Sequence, residues 1–88
     1  MARSIRFTPA AWDDYTNWQG QDKKTLKRIN TPIDAAAPEP FTGIGKPEPL
    51  LGNTAGYWSR RIDETHRLAY AVDDADMDVI ACLGHYDD

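Results

Sequence analysis

An α+β fold is predicted by three features of this 88-residue chain. A helical pattern opens at Thr8-Pro9, and a second follows Asp22. Beyond a proline-rich stretch, the second half alternates apolar and polar residues in runs of strand length. Hydrophobic residues make up 41% and charged residues 27% of the chain. That balance suits one globular domain over residues 1–88 and argues against a disordered or fibrous chain.

The first run, Ser4–Thr8, alternates with Ile5 and Phe7 on one face and reads as a first or edge strand. Thr8 offers a hydroxyl cap and Pro9 suits the first helical position. Trp12, Tyr15 and Trp18 then form an aromatic stripe expected in the core. Gly20 is expected to end this helix in the left-handed region. Asp22 caps the second helix, with Leu26, Ile29 and Ile33 inward and Lys23, Lys24, Lys27 and Arg28 outward. Pro32 removes the hydrogen bond to the Arg28 carbonyl, so a kink or stop is expected near Asn30–Thr31.

Residues 35–49 contain Pro38, Pro40, Pro47 and Pro49, with Gly43 and Gly45 between them. This is a stiffened loop that holds Glu48 between two prolines. Functional side chains concentrate on such loops when a scaffold positions them. Gly43–Lys46 lacks the spacing of a nucleotide phosphate loop.

Gly56–Val72 reads as an antiparallel hairpin around Asp63-Glu64-Thr65. Alternation puts His66, Leu68, Tyr70 and Val72 on the core side, and Arg67, Ala69 and Ala71 on the other. Trp58, Arg60 and Ile62 oppose Tyr57, Ser59 and Arg61. With Trp58 and Ile62 inward, Arg61 joins Arg67 on an open, electropositive face suited to an anion. The competing reading is that these arginines are solvated or paired with Asp63 or Glu64.

The last strand is placed at Val79–Tyr86 after an acidic turn. Asp74, Asp76 and Asp78 have the alternate spacing of a calcium loop, but Val79 and His85 stand where glycine and glutamate are needed. A solvated turn is the better reading. Cys82, the single cysteine, cannot form an internal disulfide and fits a reducing cytoplasm. A thiol nucleophile with His85 lacks a third, orienting group. The net charge of −4 excludes binding nucleic acid through bulk charge, so any such contact is local. No apolar run approaches the ~20 residues of a membrane span. Arg3 and Arg6 are not followed by the apolar region of a secretory signal.

Several blocks stand in order: Trp12-Asp13-Asp14-Tyr15, Gly-Ile-Gly-Lys-Pro-Glu-Pro-Leu at 43–50, Gly-Tyr-Trp-Ser-Arg-Arg-Ile at 56–62, His66-Arg67-Leu68-Ala69-Tyr70 and Cys82-Leu83-Gly84-His85-Tyr86. Through them the chain resembles the YoeB/Txe toxins of the RelE/ParE superfamily over nearly its whole length. The resemblance implies two N-terminal helices packed on a twisted antiparallel sheet, similar to microbial ribonucleases. It implies a metal-independent endoribonuclease, with no cofactor, that cleaves mRNA in the ribosomal A site and is silenced by a YefM-like antitoxin. It makes Glu48 the general base and His85 the general acid, with Tyr86 beside it. Arg67 and Arg61 become the phosphate-binding arginines, with Lys46 and Arg60 as further RNA contacts. Lys23, Lys24, Lys27 and Arg28 are the candidates for touching the ribosome.

The chemistry agrees with those residue types. Cleavage through the RNA 2′-hydroxyl needs a base for that proton, an acid for the leaving 5′-oxygen, and cations where phosphoryl charge accumulates. Three departures from the family pattern bear on the carry-over. Leu51 stands where relatives carry lysine, Pro32 replaces an aliphatic residue, and Asp87-Asp88 extend past the usual His-Tyr end. The alternatives are a ParE-like gyrase poison and a non-catalytic module that binds an antitoxin or RNA. Tyr57 and Trp58, as exposed aromatics, would favour a homodimer, which relatives form. No membrane contact and no independent DNA contact are expected.

Overall fold

The computed structural model describes residues 3–20, 23–50 and 56–82. Strand β1 (Ser4–Phe7) leads into helices α1 (Pro9–Gln19) and α2 (Lys23–Ala36). After a long loop come β2 (Glu48–Pro49), β3 (Trp58–Arg61), β4 (Arg67–Val72) and β5 (Asp76–Ala81). They form one five-stranded sheet in the order β1-β5-β4-β3-β2. The α+β class stands, and the sheet is antiparallel with one exception: β1 pairs with β5 in parallel. Strands β2 to β5 alternate direction. With two helices intervening, β1 is free to run alongside β5 at the edge.

Both helices cover the same face of the sheet. Trp18, Ile29 and Ile33 pack there against Leu68, Tyr70, Met77 and Val79, all buried. Among the described residues, the opposite face carries a small cluster around Leu50, Ala69 and Ala81. One face is therefore core, and among the described residues neither helix covers the other.

Helix α1 begins as its sequence dictates. The Thr8 backbone is extended and its Oγ1 accepts from the Ala11 amide at 3.1 Å, with Pro9 in the first turn. Three local expectations are corrected. Gly20 ends α1 in the right-handed region, with φ −80°, so no left-handed cap is needed there. Trp12 is 51% exposed and packs from outside on Phe7 and Tyr15, which themselves pack against the core with Trp18. Helix α2 does not stop near Asn30–Thr31, one of the two expected outcomes, but runs on through Pro32 to Ala36. The lost hydrogen bond costs about 3 kcal/mol in a regular interior. Ile29, Ile33 and Ala36, each nearly or fully buried, straddle the proline and offset that cost by packing. The Asp22 cap lies outside the described residues.

Strand β5 starts at Asp76, three residues before the expected Val79. Asp73 Oδ1 closes the preceding turn by accepting from the Ala75 and Asp76 amides. Asp76 and Asp78 meet Arg6 across the sheet edge. Further along, Ala69 pairs with Ala81 but Tyr70 pairs with Val79, so Ile80 is an extra, bulged residue. The bulge turns Ala81 to the open face. Helix α1 then holds the end of this strand: Trp18 Nε1 donates to the Cys82 carbonyl at 2.9 Å, and the Cys82 amide donates to Asp14 at 3.3 Å.

Candidate active site

The open face of the sheet gathers a carboxylate, a hydroxyl and two guanidiniums. Glu48 on β2 lies opposite Ser59 on β3, and Arg61 lies directly opposite Arg67 on β4. Residues opposite each other in an antiparallel ladder share a face, as do alternate residues along a strand. Glu48, Ser59, Arg61 and Arg67 therefore point the same way.

Arg67 is the centre of this group. Its Nε donates to Ser59 Oγ at 3.0 Å and its Nη2 to Glu48 Oε1 at 3.1 Å. The Arg67 side chain is only 12% exposed, whereas that of Glu48 is 63% exposed. The arginine is held in place while the carboxylate stays accessible. Opposed like charges repel, so among the described residues the Arg61–Arg67 pair leaves an excess of positive charge beside the one carboxylate paired there, Glu48. Such a face attracts an anion. Neither Asp63 nor Glu64 forms an ion pair with these arginines among the described residues.

The loop before Glu48 owes its shape to glycine. Gly43 and Gly45 have φ of +98° and +82°, a region glycine enters without steric cost. Gly45 also runs against β3, its carbonyl accepting from the Arg61 amide at 2.7 Å. A Cβ there would stand 2.7 Å from the Arg61 carbonyl oxygen. Lys46 is exposed and follows at φ 50°, uncommon for a residue with a side chain. The chain thus docks on β3, turns at Lys46 and delivers Glu48 opposite Ser59.

Arg60 departs from its expected role. It is fully buried, facing the helix layer with Trp58, and its guanidinium is taken up by the protein itself. Nη1 donates to the Ile44 carbonyl, Nη2 to those of Glu39, Pro40 and Thr42, and Nε to Tyr70 Oη. No direct RNA contact is open to it in this arrangement. Burial pushes the Tyr70 hydroxyl above its ordinary value, the nearby Arg60 charge opposing. Cys82 is also buried, which pushes its thiol up to about 12, helped by the Asp14 charge. A thiol so protonated is a packing group, not a nucleophile.

At the hairpin turn, Asp63 Oδ1 accepts from the Thr65 and His66 amides. Burial raises the Asp63 carboxyl, but those two hydrogen bonds and the charges of His66 and Arg28 bring it below its usual value. Lys23, Lys24, Lys27 and Arg28 are all exposed on α2. Lys24, Lys27 and Arg28 line a groove of about 580 Å³ with Ile44, Ile62 and Glu64. Glu48 and Arg67 do not line it, but Arg61 does, so this basic wall meets the carboxylate–arginine face at Arg61.

His85 and Tyr86, the expected acid and its neighbour, lie outside the described residues, as do Leu51, Asp87 and Asp88. Tyr57 and Trp58 are half-buried, Trp58 packing on Phe41 at 4.7 Å between ring centroids. Among the described residues, the exposed aromatics are Trp12 and Phe41 instead. Ser59 was not singled out from the sequence. Its one signal was a hydroxyl on the same alternating face as Arg61.

Residues 7–86 match the family described as YoeB-like toxin of bacterial type II toxin–antitoxin system. The chain belongs to that family, within the RelE/ParE superfamily. Toxin YoeB of Synechocystis is 56% identical over 82 residues, which are 93% of this chain and 95% of that protein. A YoeB dimer from Staphylococcus aureus has a TM-score of 0.86 and 42% identity, covering 98% of this chain and 100% of that one. The heterotetrameric YoeB–YefM toxin–antitoxin complex from the same organism matches with a TM-score of 0.85 and 42% identity, at 98% and 100% coverage.

Proposed function

We propose that this toxin is an endoribonuclease that cuts mRNA in the ribosomal A site by general acid/base catalysis through the RNA 2′-hydroxyl. The observation that carries this reading is the Glu48–Arg67 contact of 3.1 Å on the face the helices leave open. A carboxylate near a held guanidinium can accept the 2′-hydroxyl proton while the cation receives the phosphate. Arg61 stands across from Arg67 and adds positive charge where phosphoryl charge accumulates. His85 supplies the proton to the leaving 5′-oxygen, and Tyr86 flanks it. Lys46 contacts the substrate from the preceding turn. The exposed cations of α2 face the ribosome, whose phosphate-rich surface suits them.

The antitoxin is a YefM-like protein, and two toxin copies pair. The Staphylococcus aureus complex and dimer support both statements for relatives of this fold.

The test is to map 5′ ends of mRNA incubated with the protein, with and without translating ribosomes. Cuts that need ribosomes are expected. They should fall about 10²–10⁴-fold in Glu48→Gln and in His85→Gln, since general acid or base groups contribute that much. Replication arrest without mRNA cleavage would instead identify a gyrase poison. Full cleavage by both variants would reject the assigned roles.

A further inference from the structure

We infer that Arg60 is a positioning residue for Glu48, acting from the opposite face of the sheet. This rests on the assignment of Glu48 as the base. Three observations converge on it. First, Arg60 is fully buried, and among the described residues it pairs with no carboxylate. A buried charge needs compensation, and here backbone carbonyls supply it.

Second, those carbonyls all belong to one loop. Glu39, Pro40, Thr42 and Ile44 turn their oxygens toward the guanidinium at 3.0–3.1 Å. Tyr70 completes the cup, accepting from Arg60 Nε and donating to the Pro40 carbonyl. A planar fork with five N–H groups can hold several carbonyls at fixed angles, which a lysine ammonium cannot. The loop conformation is therefore set by one side chain on β3.

Third, that loop leads directly to the site. Its next residue, Gly45, docks on the Arg61 amide at 2.7 Å. Lys46 then takes its positive φ, and two residues later Glu48 meets Arg67. On the same strand, Ser59 faces the other way and holds Arg67 Nε. Neighbouring residues of β3 thus fix both halves of the catalytic contact. Ser59 sets the arginine, and Arg60 sets the segment that carries the carboxylate. Loss of the fork should shift Glu48 without removing any group that touches RNA.

The test uses the full-length toxin carrying Arg60→Lys or Tyr70→Phe, with two readouts. In ribosome-dependent cleavage, Arg60→Lys should lower kcat about 10–100-fold with KM within about 3-fold. Displacement of a reacting group by about 1 Å has a cost of that order. Tyr70→Phe keeps the buried ring and should lower kcat several-fold. The second readout needs no activity. Phe41 is 49% exposed and sits between two of the held carbonyls, so native-state chymotrypsin cleavage after Phe41 should accelerate at least about 10-fold in Arg60→Lys. Cleavage within β4 and β5 should not change. Wild-type kcat in either folded variant would overturn the inference, as would unchanged cleavage after Phe41. If Arg60→Lys does not fold, Tyr70→Phe decides. A wild-type protein that fails to cut RNA would refute the nuclease assignment instead, and the protease readout would still report on the loop.

Discussion

Arg60 and Arg67 occupy adjacent strands and are both shielded, yet they meet opposite fates. Arg60 is surrounded by carbonyls of its own chain and has no exposed surface. Arg67 meets a serine hydroxyl and an accessible carboxylate, and its side chain keeps 12% exposure. The contrast teaches that availability to a substrate depends on strand face and local acceptors more than on charge. A guanidinium on the helix side becomes part of the fold. One on the open side, held by a single hydroxyl and a neighbouring acid, stays ready for a phosphate.

The sharpest way to break this comparison is to remove each charge with a similar volume. Arg60→Met removes the donor to four buried or part-buried loop carbonyls and to Tyr70 Oη, which keeps its own bond to the Pro40 carbonyl. Each unsatisfied buried group costs about 1–3 kcal/mol, so a total loss of roughly 4 kcal/mol is expected. That is a fall of about 15–30 °C in Tm for a domain of this size. Arg67→Met removes an ion pair to a largely exposed partner, worth no more than about 1 kcal/mol, and one hydrogen bond to the buried Ser59 hydroxyl, worth about 1–3 kcal/mol, so its loss should stay below that of Arg60→Met. Its ribosome-dependent cleavage should nonetheless drop about 10²–10³-fold, as for loss of one transition-state donor. Similar melting temperatures for the two variants would erase the distinction.

A smaller effect isolates the loop from the guanidinium. In Gly45→Ala the new methyl would lie 2.7 Å from the Arg61 carbonyl oxygen and 3.1 Å from its nitrogen, at φ +82°. Gly56→Ala has a comparable φ of +95° but nothing within 4 Å. The second substitution should cost about 1 kcal/mol from backbone strain alone. The first adds the clash and should cost about 2 kcal/mol or more. Urea midpoints at constant m-value measure both. Equal shifts would mean that the loop does not bear on β3.

Much of this contrast was legible in the sequence, because strand alternation is a local rule. It put Arg61 with Arg67 and grouped Arg60 with Trp58 and Ile62, the core-facing set. Naming Arg60 as an RNA contact went against that alternation, since neighbouring arginines read as one basic cluster. Glu48 was found through its motif and not through periodicity. No local pattern shows that residue 48 will lie beside residue 67, or that carbonyls at 39–44 will converge on residue 60. Those contacts depend on which strands pair. The parallel edge strand and the bulge at Ile80 escaped for the same reason. Pro32 does not stop its helix: its local cost is real, but burial of Ile29 and Ile33 offsets it.

The least disruptive probe is alkaline pH, which acts on the inner layer. Burial raises the Tyr70 hydroxyl from an ordinary 10.0 and the Cys82 thiol from 9.0 to about 12. In both cases the folded chain holds the proton more tightly than the unfolded one. Their stabilising contribution is therefore complete below the unfolded values and is lost as pH rises through the folded ones. For Cys82 that window runs from about pH 9 to about 12, with a slope of up to about 1.4 kcal/mol per pH unit. Tyr70→Phe removes one of the two groups and should flatten the decline above pH 10, whereas Glu48→Gln on the open face should leave it unchanged. Stability measured by urea unfolding at a series of pH values distinguishes them. A Tyr70→Phe curve parallel to wild type up to pH 12 would show that this hydroxyl is not what couples the inner layer to the proton.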